Sequence, residues 1–149
     1  MENERGAPMN LAAGGHTRML PEPFGRAVVL VRRLLRSAGL SVDREFDVST
    51  DPYFRLAVAE RSCIVLLVDS PELLFEAIAL DRAAAVFLPL HVVITGDRET
   101  SYVHWADPAA CSGLRPPVPA KGPLEELCGR VHRALAVLPH AVEQAAPLR

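Results

Sequence analysis

The residues best suited to chemistry lie between Ser62 and Trp105. One apolar run ends in Asp69-Ser70-Pro71; a second, Val86 to Ile94, carries His91 and turns through Gly96-Asp97-Arg98-Glu99 into Tyr102-Val103-His104-Trp105. If the last two segments pair as a hairpin, parity decides whether their side chains meet. A loop of about two residues, or of the four residues Gly96 to Glu99, places His91, Tyr102 and His104 on one face. With Thr95 opposite Thr100, His91 faces His104 at about 5 Å between Cβ atoms; with Thr95 opposite Arg98, it faces Tyr102 and lies diagonal to His104. A three-residue loop or a bulge separates them. Histidine near its ordinary pKa of about 6.5 takes or gives a proton, tyrosine donates to a developing oxyanion, and a carboxylate orients an imidazole. His91 and His104 are thus candidate proton movers. Asp69 is a candidate base if burial raises its pKa, or else a cap for the helix that follows it.

These side chains need a sheet to hold them. The opposite face of the hairpin carries Leu88, Leu90, Val92, Ile94, Val103 and Trp105, which suits a helix-covered core. The histidine face is then the uncovered side. Leu40 to Val48 alternates, with Leu40, Val42, Phe46 and Val48 on one side and Ser41, Asp43, Glu45 and Asp47 on the other. If those carboxylates share the histidine face, Asp43 and Glu45 join Tyr102 as candidate ligand contacts. His and Tyr on such a face are equally at home as surface or interface residues, with Phe87, Pro89 and Val93 beside them suiting a partner subunit.

The remaining elements follow from periodicity and punctuation. Thr17 to Leu20 reads as a short strand, and Pro21-Glu22-Pro23 as a helix entry. Phe24, Val28, Val31, Leu34 or Leu35, and Ala38 recur at helical spacing, with Arg26, Arg32, Arg33 and Arg36 largely off that stripe and Gly39 closing it. Arg61 to Val68 is a nearly continuous apolar strand, and Ser70-Pro71 opens a helix through Asp81. Ala106 to Pro123, with five prolines, reads as a long connection, either lid or linker. A final helix from Leu124 sets Leu127, Val131, Ala134 and Leu138 on one stripe, with His132 facing solvent. Residues 1–16 read as a mobile arm and 139–149 as a fraying tail, with one domain, 17–138, between them.

Composition narrows the function classes. At 149 residues, 50% hydrophobic and 23% charged, the chain fits one globular domain, and no apolar run approaches a membrane span. A formal net charge of -2 without a long basic run removes the main source of nucleic-acid affinity. Cys63, Cys111 and Cys128 form no CxxC spacing, so neither a disulfide framework nor a cysteine zinc site is indicated. Two histidines with Asp69 match the ligand types of a facial triad, but no local spacing supports a metal, and no cofactor is expected. The N-terminus lacks a basic flank leading into an apolar core, and a cytoplasmic location is the expectation.

The order strand, helix, strand, strand, helix, strand, strand, helix resembles the domain of unknown function 302 family over Thr17 to Leu138. Ser70-Pro71 opening the middle helix and Leu88-Pro89 in the next strand carry the likeness. The resemblance implies an α+β fold similar to the TATA-binding-protein arrangement: a single antiparallel sheet with helices packed on one face, commonly a dimer, with no general activity established. The family often has Cys-Asn-Pro where this chain reads Asp69-Ser70-Pro71, and Leu-Pro-Cys where it reads Leu88-Pro89-Leu90. Both cysteines are absent here, so thiolate chemistry does not carry over.

The expectation is a homodimeric domain binding a small organic molecule on the uncovered face through Tyr102, His91 and His104. Its rivals are a cofactor-independent acid/base enzyme, with Asp69 assisting His91 or His104, and a protein-interaction module using the same face.

Overall fold

A computed structural model describes residues 14–50, 52 and 61–139. Five strands, β1 (Gly15–Leu20), β2 (Ser41–Asp47), β3 (Ser62–Asp69), β4 (Leu90–Gly96) and β5 (Ser101–Ala106), form one antiparallel sheet in the order β1-β5-β4-β3-β2. The helices are α1 (Phe24–Ser37), α2 (Pro71–Leu80), the short α3 (Pro108–Ser112) and α4 (Lys121–Leu135). The fold is α+β. Expectations for the N-terminal arm and the tail fall largely outside the described residues. Gly15 and His16, however, belong to β1 rather than to an arm.

Alternation along the strands separates two faces. On one side, Ile64, Leu66, Val68, Leu90, Val92, Ile94, Val103 and Trp105 are buried under Ala27, Val28, Val31 and Leu35 of α1, Leu73 of α2, and Leu127, Val131 and Leu135 of α4. Apolar area removed from water here is the main stabilising term. A smaller cluster of Ala77, Ala84, Phe87, Ala120 and Leu124 packs beneath the second half of the chain. Among the described residues, no helix is long and apolar enough to cross a membrane.

The hairpin closes with Gly96 opposite Ser101. Asp97 organises the loop: its Oδ1 accepts from the backbone N–H of Glu99 and of Thr100, each at 2.8 Å. Those two bonds hold its carboxyl below the usual range. Gly96 fits only without a side chain, since a Cβ there would lie 2.6 Å from Ser101 Oγ and 2.9 Å from the Thr100 carbonyl oxygen.

Three local expectations are corrected. Arg82–Phe87 is a 3-10 helix, capped by the Asp81 carboxylate accepting from Ala83 N–H at 2.8 Å, so β4 starts at Leu90 rather than Val86. Pro89, with no N–H to give a ladder, marks that boundary, and the Leu88–Pro89 peptide is cis. The proline-rich segment after Ala106 contains α3 and a 3-10 turn at Val118–Ala120. Lastly, β2 bulges between Ser41 and Arg44, which inverts the faces of the residues that follow. Phe46 turns outward, 61% exposed, while Glu45 turns to the helix side.

Candidate functional site

On the uncovered face, paired residues line up across the sheet. Phe46, Val65, Val93, His104 and Thr17 form one row, and Thr95, Tyr102 and Met19 lie in the next. Thr95 opposite Tyr102 is neither of the expected registers, but it has the same parity. His91 and His104 therefore share the face as diagonal rather than direct neighbours, since His104 pairs with Val93. Asp69 lies on this face too, at the end of β3 beyond the Leu67–His91 pair. The rings of Tyr102 and His104 stack with centroids 6.3 Å apart, and His104 Nδ1 shares a hydrogen bond of 3.0 Å with Thr17 Oγ1. Partial burial pushes the His104 pKa down. No hydrogen bond or ring contact joins His91 to His104 or Asp69 among the described residues. Nor does any group of three or more His, Cys, Asp or Glu there have the arrangement to hold a metal.

The expected row of carboxylates does not join them. The β2 bulge puts Glu45 opposite Leu66 on the covered side, where it is ion-paired with Arg32 of α1. Asp47 follows it, opposite Ile64, and its Oδ1 accepts from Ser49 N–H and Oγ–H. Asp43 sits within the bulge, its Oδ2 accepting from Ser41 Oγ–H at 3.0 Å.

A second cluster lies on the covered side, where β1 and β5 meet α4. His16 pairs with Trp105 across the strands, their rings stacked at 5.2 Å. His132 of α4 closes on both, at 4.5 Å from His16 and 6.0 Å from Trp105, so it does not face open solvent as expected. The guanidinium carbon of Arg18 lies 5.5 Å from the centre of the Trp105 ring. Among the described residues, three buried polar atoms, Arg18 Nε, Trp105 Nε1 and His132 Nδ1, have no hydrogen-bond partner. Burial depresses the His16 pKa, and the charges of His132 and Arg18 lower it further.

This cluster walls a cleft of 310 Å³ at the strand ends, lined by His16, His91, Trp105, Asp107, Cys128 and His132, among others. Gly14 contributes at its rim; a φ of 100° there, and a Cβ that would lie 2.7 Å from Ala110 Cβ, exclude other residues at this close approach to α3. Next to it, a smaller cavity of 170 Å³ is mainly apolar, with Phe87, Pro108 and Leu124 in its walls; Leu90, Asp107 and Cys128 border both. Burial, assisted by the Asp107 carboxylate, pushes the Cys128 thiol up to about 12, so it is neither a nucleophile nor a soft ligand at neutral pH. His16, Arg18 and His132 were not foreseen as a group. Each comes from a different local pattern, and only the β1–β5 pairing and the docking of α4 unite them.

A family profile described as "Domain of unknown function DUF302" matches residues 16–138. The chain belongs to this family. Its fold is similar to the crystal structure of an uncharacterized conserved DUF302 protein from Bacillus stearothermophilus, with a TM-score of 0.71 and 16% identity over 84% of this chain and 98% of that one. At that identity the likeness concerns the fold alone. No curated protein matches significantly. The DUF302 assignment agrees with the expected family and single antiparallel sheet.

Proposed function

We propose that this DUF302 protein binds a small organic molecule, and that it does so in the strand-end cleft rather than on the open sheet. The supporting observation is a ligand-sized concavity of 310 Å³ walled by stacked aromatic and imidazole rings, two of which keep a buried ring nitrogen without a partner. Ligand sites commonly combine an apolar wall with a few such unsatisfied polar groups. His91 belongs to this lining; His104 and Tyr102 do not.

Trp105 is the chain's one tryptophan, so its emission reports on the cleft directly. Titration with a library of small organic molecules should shift or quench that emission for a subset. Gly129 of α4 borders the cleft, and Gly129→Leu, which adds a bulky side chain there, should abolish the response. If no molecule alters the emission, or if Gly129→Leu responds like the parent, the cleft is not the binding site.

For the uncovered face we propose a homodimer contact. Phe46, Val65 and Val93 form a contiguous apolar row there, flanked by Tyr102 and Met19, with Phe46 and Tyr102 exposed. Contiguous exposed apolar surface of this kind marks interaction sites. Val93→Glu should shift the mass measured by light scattering from dimer to monomer; a parent protein that is already monomeric at high concentration would rule the contact out.

A further inference from the structure

We infer that the molecule taken up by the cleft is a flat organic acid, its carboxylate held at the corner of His16 and His132 in the field of the buried Arg18 guanidinium beside Trp105, and its body against Trp105. The inference rests on the cleft being the binding site and adds the class of ligand.

Arg18 provides the argument. It is only 8% exposed, its Nε has no partner, and its one hydrogen bond runs from Nη1 to the Thr17 carbonyl at 3.4 Å. None of the ion pairs among the described residues involves it. A guanidinium does not escape this situation by losing its proton, and a buried charge without a counter-charge is among the costliest arrangements in a protein. The Trp105 ring offsets part of that cost through the attraction between a cation and a π face. Four other arginines, Arg26, Arg32, Arg130 and Arg133, each have a glutamate. Arg18, the buried one, has none.

The rest of the corner has the same sign preference. Two imidazoles with centroids 4.5 Å apart stand beside the guanidinium, and Trp105 Nε1 is a donor with nothing to donate to. His16 and His132 line the cleft and can each offer N–H to an anion, and a carboxylate accepts several at once. Two acids border the cavities. Asp107 caps α3, its Oδ1 accepting from Ala109 N–H at 2.9 Å, and Glu125 lines the apolar cavity beside Lys121. Glu125 is balanced by Lys121 at 3.7 Å, so that cavity suits the neutral, apolar part of the ligand, toward Phe87 and Leu124, with the acid toward His16. The stacked His16 and Trp105 rings favour a flat body.

Protonation adds a pH dependence. His16, His132, His91 and Asp107 border the cleft, with Arg18 beside the Trp105 ring; burial keeps the Cys128 thiol neutral. An anion at the corner offsets the charges of His132 and Arg18 that help keep His16 unprotonated, so uptake should draw in a proton and strengthen as the pH falls.

The test uses matched flat acids and their amides, benzoate with benzamide and indole-3-acetate with indole-3-acetamide, titrated into the full chain while the Trp105 indole N–H resonance is followed. Acids should bind about tenfold more tightly than their amides, the ratio expected for charged over neutral hydrogen bonds. The preference should shrink as the pH rises and His16 loses its proton, and Arg18→Gln should remove it while leaving amide affinity in place. The comparison in the parent protein needs no variant, so a folding defect in Arg18→Gln does not obscure the result. Amides that bind as well as acids would overturn the ligand class and leave the cleft standing. If neither class moves the Trp105 signal, both the ligand class and the cleft fall together.

Discussion

Two histidine clusters stand on opposite sides of one sheet, and they are held in different ways. On the uncovered face, His104 is anchored by one hydrogen bond to Thr17 and a stacked Tyr102, while His91 is exposed beside them. On the covered side, His16 and His132 are pressed against a buried tryptophan and a buried arginine, and three polar atoms are left without partners. A satisfied group on an open face is what folding alone would select. Buried donors without acceptors lower stability, and such groups concentrate where a protein meets a ligand.

The largest difference between the two regions should appear in stability. Trp105 is 5% exposed at the centre of the covered side, whereas Tyr102 is 39% exposed. In urea denaturation, Trp105→Ala should cost ~3–5 kcal/mol, and Tyr102→Ala less than ~1 kcal/mol. Equal losses would mean that the uncovered face is itself buried, as in a tight dimer.

Proton titration should separate the clusters next. Both His16 and His104 have folded-state pKa values below the unfolded one, so the unfolded chain binds more protons and stability falls as the pH drops below about 6.5. Their causes differ. Burial alone lowers His104, whereas the charges of His132 and Arg18 add to burial at His16. Raising salt should therefore move the His16 titration upward, as followed by ring proton shifts, and leave His104 in place. If both move together, the cationic corner is not the source of the difference.

The smallest effect concerns the anchor of His104. Thr17→Val removes the partner of Nδ1 and should cost ~1 kcal/mol. It should also change the balance of His104 tautomers seen by nitrogen NMR, with His16 unaffected. An unchanged tautomer balance would show that the Thr17 bond does not set the ring's state.

Parity explains how much of this was legible in the sequence. Any even loop brings His91, Tyr102 and His104 to one side, so their common face followed from spacing even though the register itself was one step away. Burial of Leu90, Val92, Ile94, Val103 and Trp105 followed from the same alternation. Local pattern could not reveal the bulge at Ser41–Arg44, which reverses Phe46 and Glu45, because either phase of an alternating strand looks equally regular. It also could not reveal the cleft. His16 lies beside a glycine-rich start, and His132 lies on a helix whose apolar stripe excludes it. Their meeting depends on the pairing of the first strand with the fifth and on the angle at which the last helix crosses them. A buried arginine opposite Val103 was the available signal, since Arg18 breaks the apolar phase of β1 on the side that Leu20 occupies.

Two of the cleft's walls come from elements far apart in the chain: Gly14 and His16 on one side, Cys128 to His132 on the other. β1 is an edge strand, bonded only to β5, and so is among the first parts of the sheet to fray. Whatever fills that space acts as a clasp between β1 and α4. Occupancy would slow the exchange of β1 amide protons before it altered any other strand, turning one edge of the sheet into a gauge of whether the protein is loaded.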